Sequence, residues 1–145
     1  MINETALVNL FLRYTAAFKC YDLSTVKQCY QLPCTLHTPD KVVYLASEID
    51  LEKEFIQIFT VLQNAKISDI KITKATFNVS VNGAFDMCID WAFIDENNKV
   101  FTDFCAFYHL VKIEEQFKII SVVSHELSNS VELPFNVSSK LLRMK

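Results

Sequence analysis

The sequence predicts an α+β domain in which three N-terminal helices pack on an antiparallel β-sheet. Three observations carry this. Through Leu62 the apolar residues recur at the i, i+3/i+4 spacing of a helix face. From Ile67 onward the period changes to two, in runs rich in Val, Ile, Phe, Thr and Tyr. Those runs are broken at Asn82-Gly83, Asn97-Asn98 and Glu114-Glu115, which are turn signals.

The first helix carries Leu7, Leu10, Phe11, Tyr14, Phe18 and Tyr21 on one face, with Asn3 as its candidate N-cap and Glu4 beside its positive end. Asp22 opens a second, shorter helix running to about Tyr30. Pro33 and Pro39 bracket an irregular segment, and Val42 to Ala46 is a short β-prone run. Ser47 and Asp50 have capping-box-like spacing ahead of a third helix that carries Leu51, Phe55, Ile58, Phe59 and Leu62. The strands are expected over 67–81, 85–94, 100–112 and 117–126.

Turn geometry assigns faces. A two-residue loop at Asn97-Asn98 sets Trp91 opposite Phe104, Ile89 opposite Ala106 and Met87 opposite Tyr108. A two-residue loop at Glu114-Glu115 sets Leu110 opposite Ile119, Tyr108 opposite Ser121 and Phe104 opposite His125. A three-residue loop at Asn82-Gly83 aligns Val81, Val79 and Phe77 with Phe85, Met87 and Ile89. One face then holds Phe77, Val79, Phe85, Met87, Ile89, Trp91, Phe104, Tyr108, Leu110, Ile119 and Val123, with polar atoms from Tyr108, Ser121, His125 and the Trp91 indole. The other holds Asp86, Cys88, Asp90, Asp103, Cys105, Phe107, His109, Ile120 and Val122, a mixture suited to part solvent and part subunit contact.

Composition excludes several classes. The 145 residues are enough for one domain with its own core. Apolar residues make up 51% and charged residues 21%, against disorder. A net charge of −3 argues against a nucleic-acid binder. No apolar run is long enough for a membrane span, and MINETALVNL lacks a secretory pattern, so a cytoplasmic location is expected. The single glycine, Gly83, excludes Gly-rich phosphate loops and the GxSxG elbow, and no cofactor is expected. Cys20, Cys29, Cys34, Cys88 and Cys105 are odd in number and form no CxxC, so reduced, mostly buried thiols are expected. The three histidines are scattered and no metal site is expected.

The segment Arg13-Tyr14-Thr15-Ala16-Ala17-Phe18-Lys19-Cys20-Tyr21-Asp22-Leu23 and the ending Phe117-Lys118-Ile119-Ile120 resemble the nuclear transport factor 2-like superfamily, in its ketosteroid isomerase and SnoaL-like polyketide cyclase branch. The resemblance covers roughly residues 5–127 and leaves 128–145 as a tail of the single 1–145 domain. It implies a cone-shaped fold, helices on a curved sheet. It also implies that Tyr14 takes the place of the isomerase's oxyanion-hole tyrosine, and Tyr108 that of its protonated aspartic acid. The base position falls on Thr38, which is no base near neutral pH, so steroid isomerisation by the family route is not expected.

Candidate catalytic residues are thus Tyr14 and Tyr108 as hydroxyl donors, with His125 or His37 moving a proton and Asp40 as a further substitute. Candidate ligand-binding residues are Tyr14, Met87, Trp91, Phe104, Tyr108, Ser121 and His125. Asp86 faces His109 on the outer face, where a cross-strand ion pair is the commoner role, and Asp90 lies beside Cys105. Three readings stay open. One is a binder of a small apolar molecule, and another an isomerase, cyclase or dehydratase on an apolar carbonyl compound. The third is a homodimeric interaction module using Phe107, Ile120 and Val122 on the outer face, with Val131 to Phe135 and the basic end from Lys140 packed on a partner or frayed.

Overall fold

The computed structural model describes residues 4–80 and 82–142. In chain order its elements are α1 (Glu4–Lys19), α2 (Leu23–Gln28), β1 (Tyr30–His37), β2 (Val42–Leu45), α3 (Glu48–Asn64), β3 (Ile67–Val79), β4 (Phe85–Asp95), β5 (Val100–Ile113) and β6 (Gln116–His125). A short 3-10 turn (Leu127–Asn129), β7 (Phe135–Asn136) and α4 (Ser138–Leu142) follow. The candidate cap Asn3 and the expected strand residue Val81 lie outside the described residues.

Local chemistry explains the helix boundaries. Helix α1 ends in a Schellman arrangement: Asp22 N donates to Ala17 O at 2.8 Å and Tyr21 N to Phe18 O at 3.3 Å, with Tyr21 at φ 56°. Asp22 then caps α2, accepting from Thr25 N at 3.1 Å and Thr25 Oγ1 at 2.7 Å. These bonds hold the half-buried Asp22 carboxyl below its ordinary pKa. The expected cap of α3 forms: Ser47 Oγ accepts from Asp50 N at 3.2 Å, and Asp50 Oδ2 accepts from Ala46 N at 3.4 Å.

The sheet has seven strands in the order β2-β1-β6-β5-β4-β3-β7. It is not wholly antiparallel, because β1 runs parallel to β6. The segment from Pro33, expected to be irregular, is mostly strand; its ladder to β6 is interrupted between Tyr30 and Thr35, where Pro33 has no N–H to give. Two strands therefore precede the third helix.

The register of β4 on β5 agrees with the sequence: Trp91 faces Phe104, Ile89 faces Ala106 and Met87 faces Tyr108. The turn is one residue longer than expected, with Asp95 N donating to Lys99 O at 2.9 Å and Asn98 at φ 62°. A bulge between Phe93 and Ile94 restores the pairing. The β3–β4 turn keeps the expected length but sits one residue earlier in the chain. Ser80 N donates to Ala84 O at 2.8 Å, Gly83 sits at φ 80°, and Phe77 faces Met87 rather than Ile89. The shift is two residues, so the apolar face is kept while the partners change.

Glu114 and Glu115, at φ 49° and 70°, form the expected tight turn, and Leu110 faces Ile119. Beyond it the ladder slips: His109 faces Ser121, which leaves Ile120 as an extra residue on β6. The bulge inverts the rest of the strand. Ser121, Val123 and His125 stand on the outer face, and Val122 and Ser124 turn inward, opposite to the expectation. Together these bulges bend the sheet around the helices.

The inner face meets α1 and α3 through a core that includes Leu7, Phe11, Phe55, Phe77, Met87, Ile89, Leu110 and Ile119. The tail, expected on a partner or frayed, docks on its own chain. It crosses the outer face from β5 to β3, pairs β7 with β3, and buries Val137 and Leu141. Arg143, Met144 and Lys145 lie outside the described residues.

Candidate functional site

Between the helices and the inner sheet face lies a cavity of about 370 Å³. Helix α1 supplies Tyr14 and Phe18, one turn apart. Strands β4 and β5 supply Trp91, Phe93, Phe104 and Tyr108 on alternating positions, and β6 supplies Val122 and Ser124. Helix α3 contributes Glu54, Phe55, Ile58 and Val61, and β1, β2 and their connection add Tyr30, Leu36, His37, Thr38, Lys41 and Val43.

The closed end of this cavity is aromatic. Tyr14, Tyr30, Tyr108 and Trp91 are each no more than 6% exposed. Tyr14 and Tyr30 join hydroxyl to hydroxyl at 2.7 Å. Trp91 Nε1 donates to Tyr108 Oη at 2.9 Å. The rings of Tyr14 and Tyr108 meet edge to face with centroids 6.2 Å apart, so the two pairs adjoin.

An indole N–H only donates, so the Tyr108 hydroxyl is the acceptor and keeps its own proton. In the other pair one phenol donates, and the second keeps its proton. Each pair thus holds one O–H with no acceptor among the described residues. Burial, the largest cause in each case, pushes all three phenols well above the ordinary tyrosine pKa. They are neutral donors across the physiological range. Burial likewise pushes the neighbouring thiols of Cys29 and Cys34 up to about 11.

The mouth is polar. Lys41 Nζ lies 3.4 Å from Glu54 Oε2, spanning the β1–β2 turn and α3. His37 and Thr38 line the same rim.

Of the residues singled out from sequence, Tyr14, Trp91, Phe104, Tyr108 and His37 line the cavity. Met87 does not; it is buried in the core beneath it. Ser121 and His125 do not either, because the Ile120 bulge places them outside: Thr35 Oγ1 donates to Ser121 Oγ at 3.4 Å, and the His125 ring packs on Phe107 at 5.6 Å. Asp40 is absent from the lining. Asp86 and His109 do pair, at 2.6 Å, but on the exposed outer face away from the cavity. Val122, expected outside, lines the cavity.

Tyr30, Glu54, Lys41 and Ser124 were not foreseen. The signal for Glu54 was present, since it shares a helix face with Ile58 and Val61 at i+4 and i+7. Among the described residues no group of three or more His, Cys, Asp or Glu side chains is arranged to hold a metal ion. No helix among them is long and apolar enough to cross a membrane.

Solved structures share this architecture. Aln2 from a Streptomyces species superposes with a TM-score of 0.70 at 9% identity, over 85% of this chain and 89% of that one. An NTF2-like protein of unknown function from Shewanella oneidensis gives 0.68 at 14% identity, over 85% and 98%. A proposed ketosteroid isomerase from Shewanella frigidimarina gives 0.64 at 11% identity, over 81% and 92%. At these identities the likeness is one of fold. No curated protein matches the sequence. Residues 3–127 match the family model described as NTF2-like protein (DUF6841), which spans every element from α1 to β6, and the chain belongs to that NTF2-like family.

Proposed function

We propose that this chain binds a small, neutral, apolar compound carrying one hydrogen-bond-accepting oxygen, such as a ketone. The supporting observation is the pair of O–H groups left without acceptors at the closed end of an otherwise apolar cavity. A carbonyl oxygen has the two lone pairs that would satisfy both donors. Among the described residues no lysine or arginine lines the closed end, so a ligand anion there would lack a counter-charge.

The test is a thermal-shift comparison of 1-tetralone with tetralin, which differ by the carbonyl oxygen. The ketone is expected to raise the melting temperature more than the hydrocarbon, since a ligand bound to the native state stabilises by mass action. Equal shifts would remove the phenols from the reading.

Catalysis on such a carbonyl compound is the second reading, and one observation favours it. His37 and Glu54 line the same cavity as the phenols, at its mouth, and would be the groups that move a proton. Self-association through the outer face is proposed only in narrowed form. Val122 is unavailable to it and the tail covers part of that face. The strip left for a second copy runs from Phe107 and Val123 toward Val42 and Tyr44, which are 67% and 65% exposed.

A further inference from the structure

The tail lies beyond the matched family segment, which ends at residue 127. Its contacts on the outer face are specific. Cys105 Sγ donates to Glu126 O at 3.4 Å. Ser130 Oγ donates to Asp90 Oδ1 at 2.6 Å, and Lys74 Nζ lies 3.7 Å from Asp90 Oδ2, leaving the carboxylate residue only 8% exposed. Leu133 N donates to Thr76 Oγ1 at 3.0 Å, and Ser138 Oγ accepts from Ala75 N at 2.8 Å.

Two of these anchors stand directly behind the cavity. Asp90 precedes Trp91 on β4 and Cys105 follows Phe104 on β5, and the two form adjacent rungs of one ladder: Asp90 opposite Cys105, Trp91 opposite Phe104. Because alternate residues of a strand point to opposite faces, the tail grips one side of these rungs while the cavity uses the other.

We propose that residues Glu126–Leu142 form a strap that controls the cavity from the opposite side of the sheet, with Ser130 and Asp90 acting as positioning residues for Trp91 and its bond to Tyr108. Docked, the strap fixes the two rungs and the aromatic wall. Released, it frees them, so strap docking and ligand binding favour each other. The inference rests on the cavity being the ligand site, but its first readout needs no ligand.

Trp91 is the sole tryptophan of the chain, so its emission reports the wall directly. The experiment uses the full chain with Cys20→Ser, comparing Ser130→Ala/Ser138→Ala with Ser130→Thr. Loss of both latches is expected to speed labelling of Cys88 and Cys105 about ten-fold or more, as local opening exposes them. It is also expected to shift Trp91 emission to the red and to weaken 1-tetralone binding about five-fold or more. Ser130→Thr, which keeps the hydroxyl, should behave as the parent.

Faster labelling with unchanged Trp91 emission would overturn the proposal, leaving the strap a mere cover; unchanged labelling would overturn the latches themselves. Failure of 1-tetralone to bind the parent chain would count against the ligand reading while the emission result still decides the coupling. A measurement on the unaltered chain needs no variant to fold: saturating 1-tetralone is expected to slow hydrogen exchange at Leu133 and Val137. Unchanged exchange with ligand bound would contradict reciprocal coupling.

Discussion

Trp91 donates its indole N–H to the hydroxyl of Tyr108 across the β4–β5 ladder, at 2.9 Å and with both residues buried. That bond sets the polarity of the closed end of the cavity, because the indole cannot accept and the phenol must send its own proton elsewhere.

Removing the acceptor should therefore be costly. Tyr108→Phe leaves the buried Trp91 N–H unpaired and is expected to destabilise the fold by about 1–3 kcal/mol. Trp91→Phe/Tyr108→Phe, which removes both partners, should cost less than the sum of the single changes. Urea unfolding of all four members of the cycle measures this, and additive costs would show that the bond carries no energy.

Alkaline stability follows from the buried phenols. Tyr14, Tyr30 and Tyr108 have folded-state pKa values raised above the unfolded value of about 10. Above that pH the unfolded chain loses these protons and the folded chain keeps them. Stability is thus fully present below about pH 10 and falls as the pH rises further. Absorbance at 295 nm should show these three tyrosines ionising together with the loss of folded structure. Their smooth ionisation in the intact fold would contradict the burial.

Thiol chemistry gives an independent check. Cys20 is exposed and the other four cysteines are buried, with Cys29 and Cys34 pushed up to about 11. A disulfide reagent at pH 8 should modify Cys20 rapidly and the other four only on the timescale of opening. Rapid modification of Cys29 or Cys34, mapped by mass spectrometry, would contradict the packing of α2 against β1.

Much of this arrangement is legible in the residues themselves. Helical spacing locates α1 and α3, Ser47 and Asp22 mark helix starts, and the Trp91–Phe104 register agrees because the bulge after Phe93 offsets the extra residue of the turn at Asn97-Asn98. What escapes notice has physical causes. The extra residue Ile120 leaves no mark on a pattern of alternating apolar residues, yet it turns Ser121 and His125 outward and brings Val122 and Ser124 in. Pro33 conceals β1 because proline speaks against a strand, and with β1 goes Tyr30, which reads as the end of a helix. The tail's short strand and helix derive from docking on β3 rather than from local propensity.

The central claim is that the unshared phenol protons receive a ligand oxygen. The most direct measurement is the infrared carbonyl stretch of bound 1-tetralone. In the parent chain it is expected well below its frequency in hexane, and in Tyr108→Phe it should move back toward that value. A bound carbonyl absorbing at the hexane frequency in the parent chain would contradict the account.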